Sequence, residues 1–242
     1  MKLLIIGDVH LHYEKAERIC RKFPDHKIIF VGDYFDQFFD TPEENEWCAE
    51  WLKESLKKPN RVHLYGNHDE HYDPRVNSVC SGFSYSKKKK INKILSIDDW
   101  DLLKYFHFEN NWWISHAGIC KNWFMSPIDT TITVDNVQKV IDHAITLQRS
   151  DQGDNAIWAA DYLRGGDNKY GSILWADWRT LEHINNINQV VGHTPRHDIE
   201  VREDMKSNSI HINVDCSAIT NLSQVLTIDE DGKHTIVDSS LI

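Results

Sequence analysis

Three short apolar runs recur in the first 65 residues: Leu3 to Ile6, Ile28 to Val31 and Val62 to Tyr65. Each is followed at once by a glycine and a polar cluster. Runs of this length without polar alternation predict strands buried on both faces, as in a parallel sheet. Between them, Tyr13 to Lys22 and Glu43 to Lys57 carry apolar residues at helical spacing (Trp47, Trp51, Leu52 and Leu56 in the second), and Thr41-Pro42 supplies a cap and first-turn signal. Strand, helix, strand, helix, strand predicts an α/β layer.

The pattern loosens from Asp73 to Phe108, where one short helix is expected around Asp98 to Tyr105 and the lysine run 87–90 reads as a solvated loop. Trp112 to Ser115 predicts another strand and Val134 to Leu147 an amphipathic helix, while 151–171, rich in Gly, Asp and Asn, predicts a long loop around a short helix. In the last third, Gln189 to Val191, Ile210 to Val214, Gln224 to Ile228 and Thr235 to Val237 are closely spaced strand candidates. Asp231-Gly232 is a hairpin signal between the last two. These strands predict a second, largely antiparallel sheet. With no internal repeat and no Pro- or Ser-rich linker, residues 1–242 read as a single domain with surface excursions at 73–108 and 121–171.

Composition narrows the class. Of 242 residues, 40% are hydrophobic and 26% charged, and 11 Gly with 6 Pro are too few for a low-complexity chain. The net charge of -10 weighs against a surface built for nucleic acid, and no apolar stretch reaches the ~20 residues of a membrane span. Five scattered cysteines without a CxxC pair argue against a disulfide framework or a zinc-thiolate site. Together with an N-terminal apolar run too short for a signal peptide, they predict a cytoplasmic protein.

The punctuation at the strand ends carries the chemistry. The clusters are Gly7-Asp8-Val9-His10, Gly32-Asp33-Tyr34-Phe35-Asp36, Gly66-Asn67-His68-Asp69, Ser115-His116-Ala117-Gly118 and Gly192-His193-Thr194-Pro195. In an open α/β sheet, ligands sit in the crevice beyond the carboxyl ends of the strands, where these side chains would converge. Asp8, His10, Asp33, Asn67, His116 and His193 make a mixed nitrogen and oxygen ligand set without thiolate, suited to Mn, Fe or Zn. Six ligands are too many for one ion that must keep a water. Two divalent ions sharing a carboxylate, roughly 3.5 to 4 Å apart, are the usual device for displacement at phosphorus. The glycines would let metal and phosphate approach the backbone.

The ordered set GDVH, GDYFD, GNHD, SHAG and GHTP resembles the calcineurin-like metallophosphoesterases, and most of all their phosphoprotein-phosphatase branch with its bacterial and phage relatives. The resemblance spans Asp8 to His193, with a weaker match over Ile212 to Cys216 and Val225 to Thr227. It implies a four-layer α/β-β/α sandwich with two mixed sheets. It also implies that Asp8 and His10 bind the first metal, Asn67, His116 and His193 the second, and that Asp33 bridges them. His68 would be the general acid, with Asp36 holding it protonated. The branch's arginine after GDxxD is Gln37 here, which removes one phosphate clamp; the segment Ile173 to Arg179 resembles the source of a second, Arg179.

Nuclease and phosphodiesterase branches carry GHxH where this chain has Pro195, so the expected activity is hydrolysis of phosphomonoesters by a serine/threonine or dual-specificity protein phosphatase. A bis(5'-nucleosyl)-tetraphosphate hydrolase and a non-catalytic protein-binding scaffold are the alternatives. The expected cofactors are two divalent ions, manganese first, with Fe, Zn, Co or Ni also accepted by the ligand set. The expected partner is a phosphorylated protein or a small phosphoester or nucleotide. Trp175, Trp178 and Tyr170 are candidates to line the pocket.

Overall fold

A computed structural model describes residues 1–125, 131–149, 156–216 and 222–239. The chain runs β1 (Leu3–Ile6), α1 (Tyr13–Lys22), β2 (Lys27–Phe30), α2 (Pro42–Leu56), β3 (Arg61–His63), α3 (Asn67–Glu70), α4 (Tyr85–Ile94), α5 (Ile97–Trp100), β4 (Phe106–Glu109) and β5 (Trp112–Ser115). It continues through α6 (Lys121–Met125), α7 (Val134–Arg149), a single 3-10 turn (Tyr162–Arg164), β6 (Asn188–Val191), β7 (Glu200–Asp204), β8 (Ser209–Asn213), β9 (Gln224–Ile228) and β10 (His234–Asp238).

Two mixed five-stranded sheets result, in the orders β10-β9-β1-β2-β3 and β4-β5-β6-β8-β7. The strands β1, β2 and β3 are parallel to one another, as are β5, β6 and β8. The period of two along each strand assigns the faces. Leu3 and Ile5 join Ile29, Val31, Ile114, Val190, Ile212 and Val214 in one cluster, while Leu4 and Ile6 join Ala16, Ile19 and Cys20 of α1 in another. A first core thus lies between the sheets and a second beneath the helices, which is why β1 is apolar at every position and fully buried. Each such side chain contributes about 1.5 to 3 kcal/mol on burial.

Local signals explain the helix that flanks the site. The hydroxyl of Thr41 accepts from the amide of Glu44, the carboxylate of Glu44 accepts in return from the amide of Thr41, and Pro42 opens the first turn of α2.

The last third differs from the expected antiparallel sheet. β6 and β8 extend the parallel run begun by β5, and the hairpin β9-β10 pairs with β1 in the first sheet. The hairpin turn is at Asp231-Gly232 as expected, with Gly232 at φ 81°. The strand β7 closes the second sheet's edge and has no apolar alternation in Glu-Val-Arg-Glu-Asp to announce it. The 73–108 excursion is also more ordered than expected. The lysine run lies inside α4, whose Lys87 is buried against Asp36 and Asp40. Part of the long loop expected over 151–171, namely 151–155, lies outside the described residues.

Candidate active site

Four of the five strand-end clusters line a cavity of about 590 Å³ through His10, Asp33, Asn67, His68 and His193, with Asp215 among the other lining residues, and the fifth supplies His116, fully buried beside Asn67 and His193. The carboxylates are seated by backbone. Asp8 accepts the amide of His193 at 3.0 Å, and Asp33 accepts the amide of His68 at 2.9 Å through Oδ1. The glycines make room for these carboxylates directly: a Cβ at Gly66 would overlap the side chain of Asp33, and one at Gly192 that of Asp8. His10, Asp33, Asp36 and His193 all have positive φ, between 39° and 66°. Left-handed non-glycine backbone costs on the order of 1 to 3 kcal/mol per residue and gathers at functional sites.

Two ligand clusters share one residue. Asp8, His10 and Asp33 form the first, and Asp33, His116 and His193 the second. Oδ2 of Asp33 lies 3.6 Å from Nε2 of His10 and 3.5 Å from Nε2 of His116, between the two. The ring orientations are set from behind. Nδ1 of His116 is 2.9 Å from the carbonyl of Val31, and Nδ1 of His10 is 2.6 Å from that of Asp36, so each ring donates away from the cavity and turns a lone pair inward. Nε2 of His116 then faces Oδ1 of Asn67 at 2.9 Å and Nδ1 of His193 at 3.1 Å, while Nε2 of the buried His193 has no hydrogen-bond partner.

Acceptor atoms converging without a matching set of donors is an arrangement that cations stabilise. Burial, reinforced by Asp215 and by their mutual repulsion, pushes the carboxyl of Asp8 well up; burial and Asp69 do the same to Asp33. Burial also drives the His116 imidazole down to about 3, so the ring is neutral at neutral pH and, with Nδ1 donating to Val31, carries a lone pair on Nε2. This donor set fits two divalent cations.

His68 lies beside the clusters, its Nδ1 3.0 Å from Oδ2 of Asp36, which leaves Nε2 for a substrate. The pair has the geometry expected of a carboxylate that favours the protonated ring, and Asp36 does pull in that direction. Burial of His68, helped by His10 and His71, outweighs the pull of Asp36 and lowers the imidazole below its ordinary value. Asp36 itself is buried, which opposes ionisation, yet bonds from His68 and His71 hold it far below the usual carboxylate range. Tyr72 donates to it at 2.7 Å and Lys87 at 2.8 Å, so its charge is shared among several partners.

Arg179 is not brought to the cavity. Its side chain is 56% exposed, and its guanidinium is captured in a two-pronged pair by the buried Asp177. The other side of the same carboxylate holds Arg164, whose Nε lies 2.9 Å from Oδ2 and whose terminal nitrogen donates to the carbonyl of His193 at 2.9 Å. Arg164 lines the cavity with Trp175, whereas Trp178 is buried under Arg202 and Tyr170 does not reach the cavity wall. The 3-10 turn that presents Arg164 is capped by Asp161, which accepts the amide of Leu163 and the hydroxyl of Thr180.

Sequence reasoning missed Arg164 because its turn has no periodicity. It also passed over Asp215, which lies just beyond β8 and carries the same signal, an acid after an apolar strand, as Asp8 and Asp33. Asp69 was missed as well; it accepts the amides of Tyr34 and Gly66, tying together the loops that carry Asp33 and Asn67.

Two packed mixed sheets with paired ligand clusters beyond the strand ends define a metal-dependent hydrolase. The profile of the calcineurin-like phosphoesterases matches residues 1–204, and the chain belongs to that family. The family uses a dinuclear divalent metal centre. Among solved structures, the chain is similar to a protein serine/threonine phosphatase of Saccharomyces cerevisiae with similarity to human phosphatase PP5. The two share 15% identity over 98% of this chain and 79% of that one, with a TM-score of 0.52. A putative diadenosine tetraphosphatase (15% identity, 98% and 93% coverage, TM-score 0.48) and the Escherichia coli phosphoesterase YfcE (13%, 98% and 99%, 0.43) are more distant in shape. No curated protein matches the chain in sequence. Among the described residues, no helix is long and apolar enough to cross a membrane.

Proposed function

We propose that the chain hydrolyses phosphomonoesters of proteins, with manganese as the resident metal. The observation that supports this most is the meeting of Asp33, placed between two ligand clusters, with His68 and Arg164 on one open cavity. In this reading Asp8 and His10 hold one ion, Asn67, His116 and His193 the other, and Asp33 both. When bound, the two cations supply Lewis-acid activation of the phosphoryl group and of the attacking water.

The chain's own residues do the rest. Arg164, rather than Arg179, offers its guanidinium to the phosphoryl oxygens, whose geometry a planar fork matches. Asp177 and the carbonyl of His193 preposition that fork. Asp36 fixes the His68 ring with Nδ1 turned away from the cavity, so that Nε2 delivers the proton to the departing serine, threonine or tyrosine oxygen. Phe38, Leu163, Trp175 and Pro195 give the cavity an apolar wall for the peptide side of the substrate.

A second reading, a dinucleoside polyphosphate hydrolase, is favoured by one feature. A groove bearing Tyr13, Lys15, Arg18 and Trp47 adjoins the cavity, sharing His12 and Gln37 with it, and offers a stacking surface and cations to a nucleotide leaving group. The whole chain is read as a single domain, and five free cysteines support a reducing compartment such as the cytoplasm.

The test is a single reaction of manganese-loaded protein with a phosphopeptide and diadenosine tetraphosphate, followed by phosphorus NMR. Orthophosphate arising from the phosphopeptide supports the proposal, and ADP arising from the dinucleotide supports the second reading. No change in either signal, with two metals bound, would favour a non-catalytic scaffold.

A further inference from the structure

Beside His68 lie two more side chains of metal-ligand type, one of which, Cys80, also touches Asn67. His71 follows α3 and is fully buried, while Cys80 sits in the loop leading to α4 and is only half-buried. Sγ of Cys80 is 3.2 Å from Nδ1 of His71 and 4.0 Å from Nδ1 of His68, and the ligand atoms of the three residues lie within 4.8 Å of one another. Oδ2 of Asp36 stands 3.0 Å from Nδ1 of His68 and 3.0 Å from Nε2 of His71. The other four cysteines are buried.

We infer that His68, His71 and Cys80, with Asp36 beside them, form a third cation site, selective for a soft divalent ion such as zinc, and that filling it switches hydrolysis off. The inhibitory half rests on the role read for His68. The ligand chemistry separates this site from the one around Asp33. One thiolate with two imidazoles is a set that zinc prefers and manganese does not, whereas the Asp33 clusters hold only nitrogen and oxygen. Tetrahedral zinc with bonds of about 2.0 to 2.3 Å places its ligand atoms about 3.3 to 3.8 Å apart. Two of the three separations, 3.2 and 4.0 Å, bracket that range and the third is at most 4.8 Å, so closing the site needs shifts on the order of 1 Å.

Occupancy and catalysis compete for one atom. Nδ1 of His68 cannot donate to Asp36 and ligate a cation at once, so an ion entering here takes the ring from its anchor while Cys80 releases its proton to solvent. His68 ligating through Nδ1 gives up that nitrogen's proton to solvent as well and keeps its remaining proton on Nε2 as a neutral imidazole, a far weaker acid than the imidazolium the reaction uses. Lys87, 2.8 Å from Oδ1 of Asp36, opposes a second cation nearby, which suits a site that fills and empties with metal supply better than a permanent structural one.

The test uses the full manganese-loaded chain. Titrated with cadmium as a thiol-seeking probe, the wild type should develop a thiolate-to-metal charge-transfer band that saturates at one equivalent, and Cys80→Ser and Cys80→Ala should lack it. Half-inhibition of phosphoserine-peptide turnover, whose alkoxide leaving group needs the proton from His68, should need at least about tenfold more zinc in either variant, as expected for a lost ligand. A wild type without the band, or variants that keep it, overturns the site. A band lost in the variants with zinc inhibition unchanged overturns the switch. The band is read without substrate, so it decides the site even if the chain hydrolyses no phosphate ester.

Discussion

The ammonium of Lys87 joins Asp36 to Asp40, 2.8 Å from Oδ1 of the first and 2.6 Å from Oδ1 of the second, and all three side chains are at most 7% exposed. A cation from α4 therefore anchors the carboxylate that orients His68, although α4 lies outside every strand-end motif. Lys87→Met should leave two nearly buried carboxylates without their counter-charge and destabilise the fold by about 3 to 5 kcal/mol. Lys89, two residues on and exposed, should tolerate the same change within about 0.5 kcal/mol. Urea unfolding of the two variants side by side measures the difference.

The two arginines that share Asp177 should separate kinetically. Arg164→Ala is expected to lower kcat/KM for a phosphomonoester by about 100- to 1000-fold, the range for losing one electrostatic donor to a phosphoryl-like charge. Arg179→Ala, whose guanidinium is outside the cavity, should change it by less than about threefold. A larger loss in Arg179→Ala would return the clamp to Arg179, and equal losses would point to their shared hold on Asp177 instead of a contact with substrate.

His68→Asn should keep two metals per chain and lose about 100- to 10000-fold in kcat, the usual worth of a positioned acid. Phenyl phosphates, whose leaving oxygen departs without help, should suffer less than alkyl phosphates. A uniform loss across leaving groups would instead point to a structural role for the ring.

Acid stability follows from histidines that are buried neutral. His63, between the hydroxyls of Ser55 and Tyr34 and stacked on Phe30, is driven down to about 3 by burial and then by Arg61, and burial likewise lowers His211 to about 3. The folded state binds fewer protons than the unfolded one below the ordinary histidine value of about 6.5. Stability is therefore whole above that pH and falls as pH drops toward 3, by about 1.4 kcal/mol per pH unit for each such ring. The unfolding free energy of His63→Gln should decline between pH 6 and 4.5 with a slope shallower by that amount, read from urea titrations at several pH values.

Much of the site was legible in sequence because its residues are adjacent to strands that the sequence announces. Asp8, His10, Asp33, Asn67, His116 and His193 each follow an apolar run, and parallel strands carry their ends to one edge of a sheet. What was not legible depends on packing between segments without periodicity. That Arg164 and not Arg179 meets the cavity follows from which side of Asp177 each occupies, a fact of tertiary placement. Lys87 is hidden in a run of four lysines whose pattern suggests solvent, yet one face of α4 lies against α2 and buries that single ammonium. The hairpin β9-β10 was visible, while its pairing with β1 across the chain was not, since local pattern says nothing of which sheet edge is open.

The account turns on Asp33 joining two cation sites. Electron paramagnetic resonance of the protein loaded with two equivalents of manganese tests this directly, because ions about 3.5 to 4 Å apart through a shared carboxylate are magnetically coupled. The wild type should give the broadened spectrum of an exchange-coupled pair, and Asp33→Asn the six-line spectrum of isolated ions with weaker binding. An uncoupled six-line spectrum from the fully loaded wild type would contradict a shared Asp33 and, with it, the proposed dimetal hydrolase.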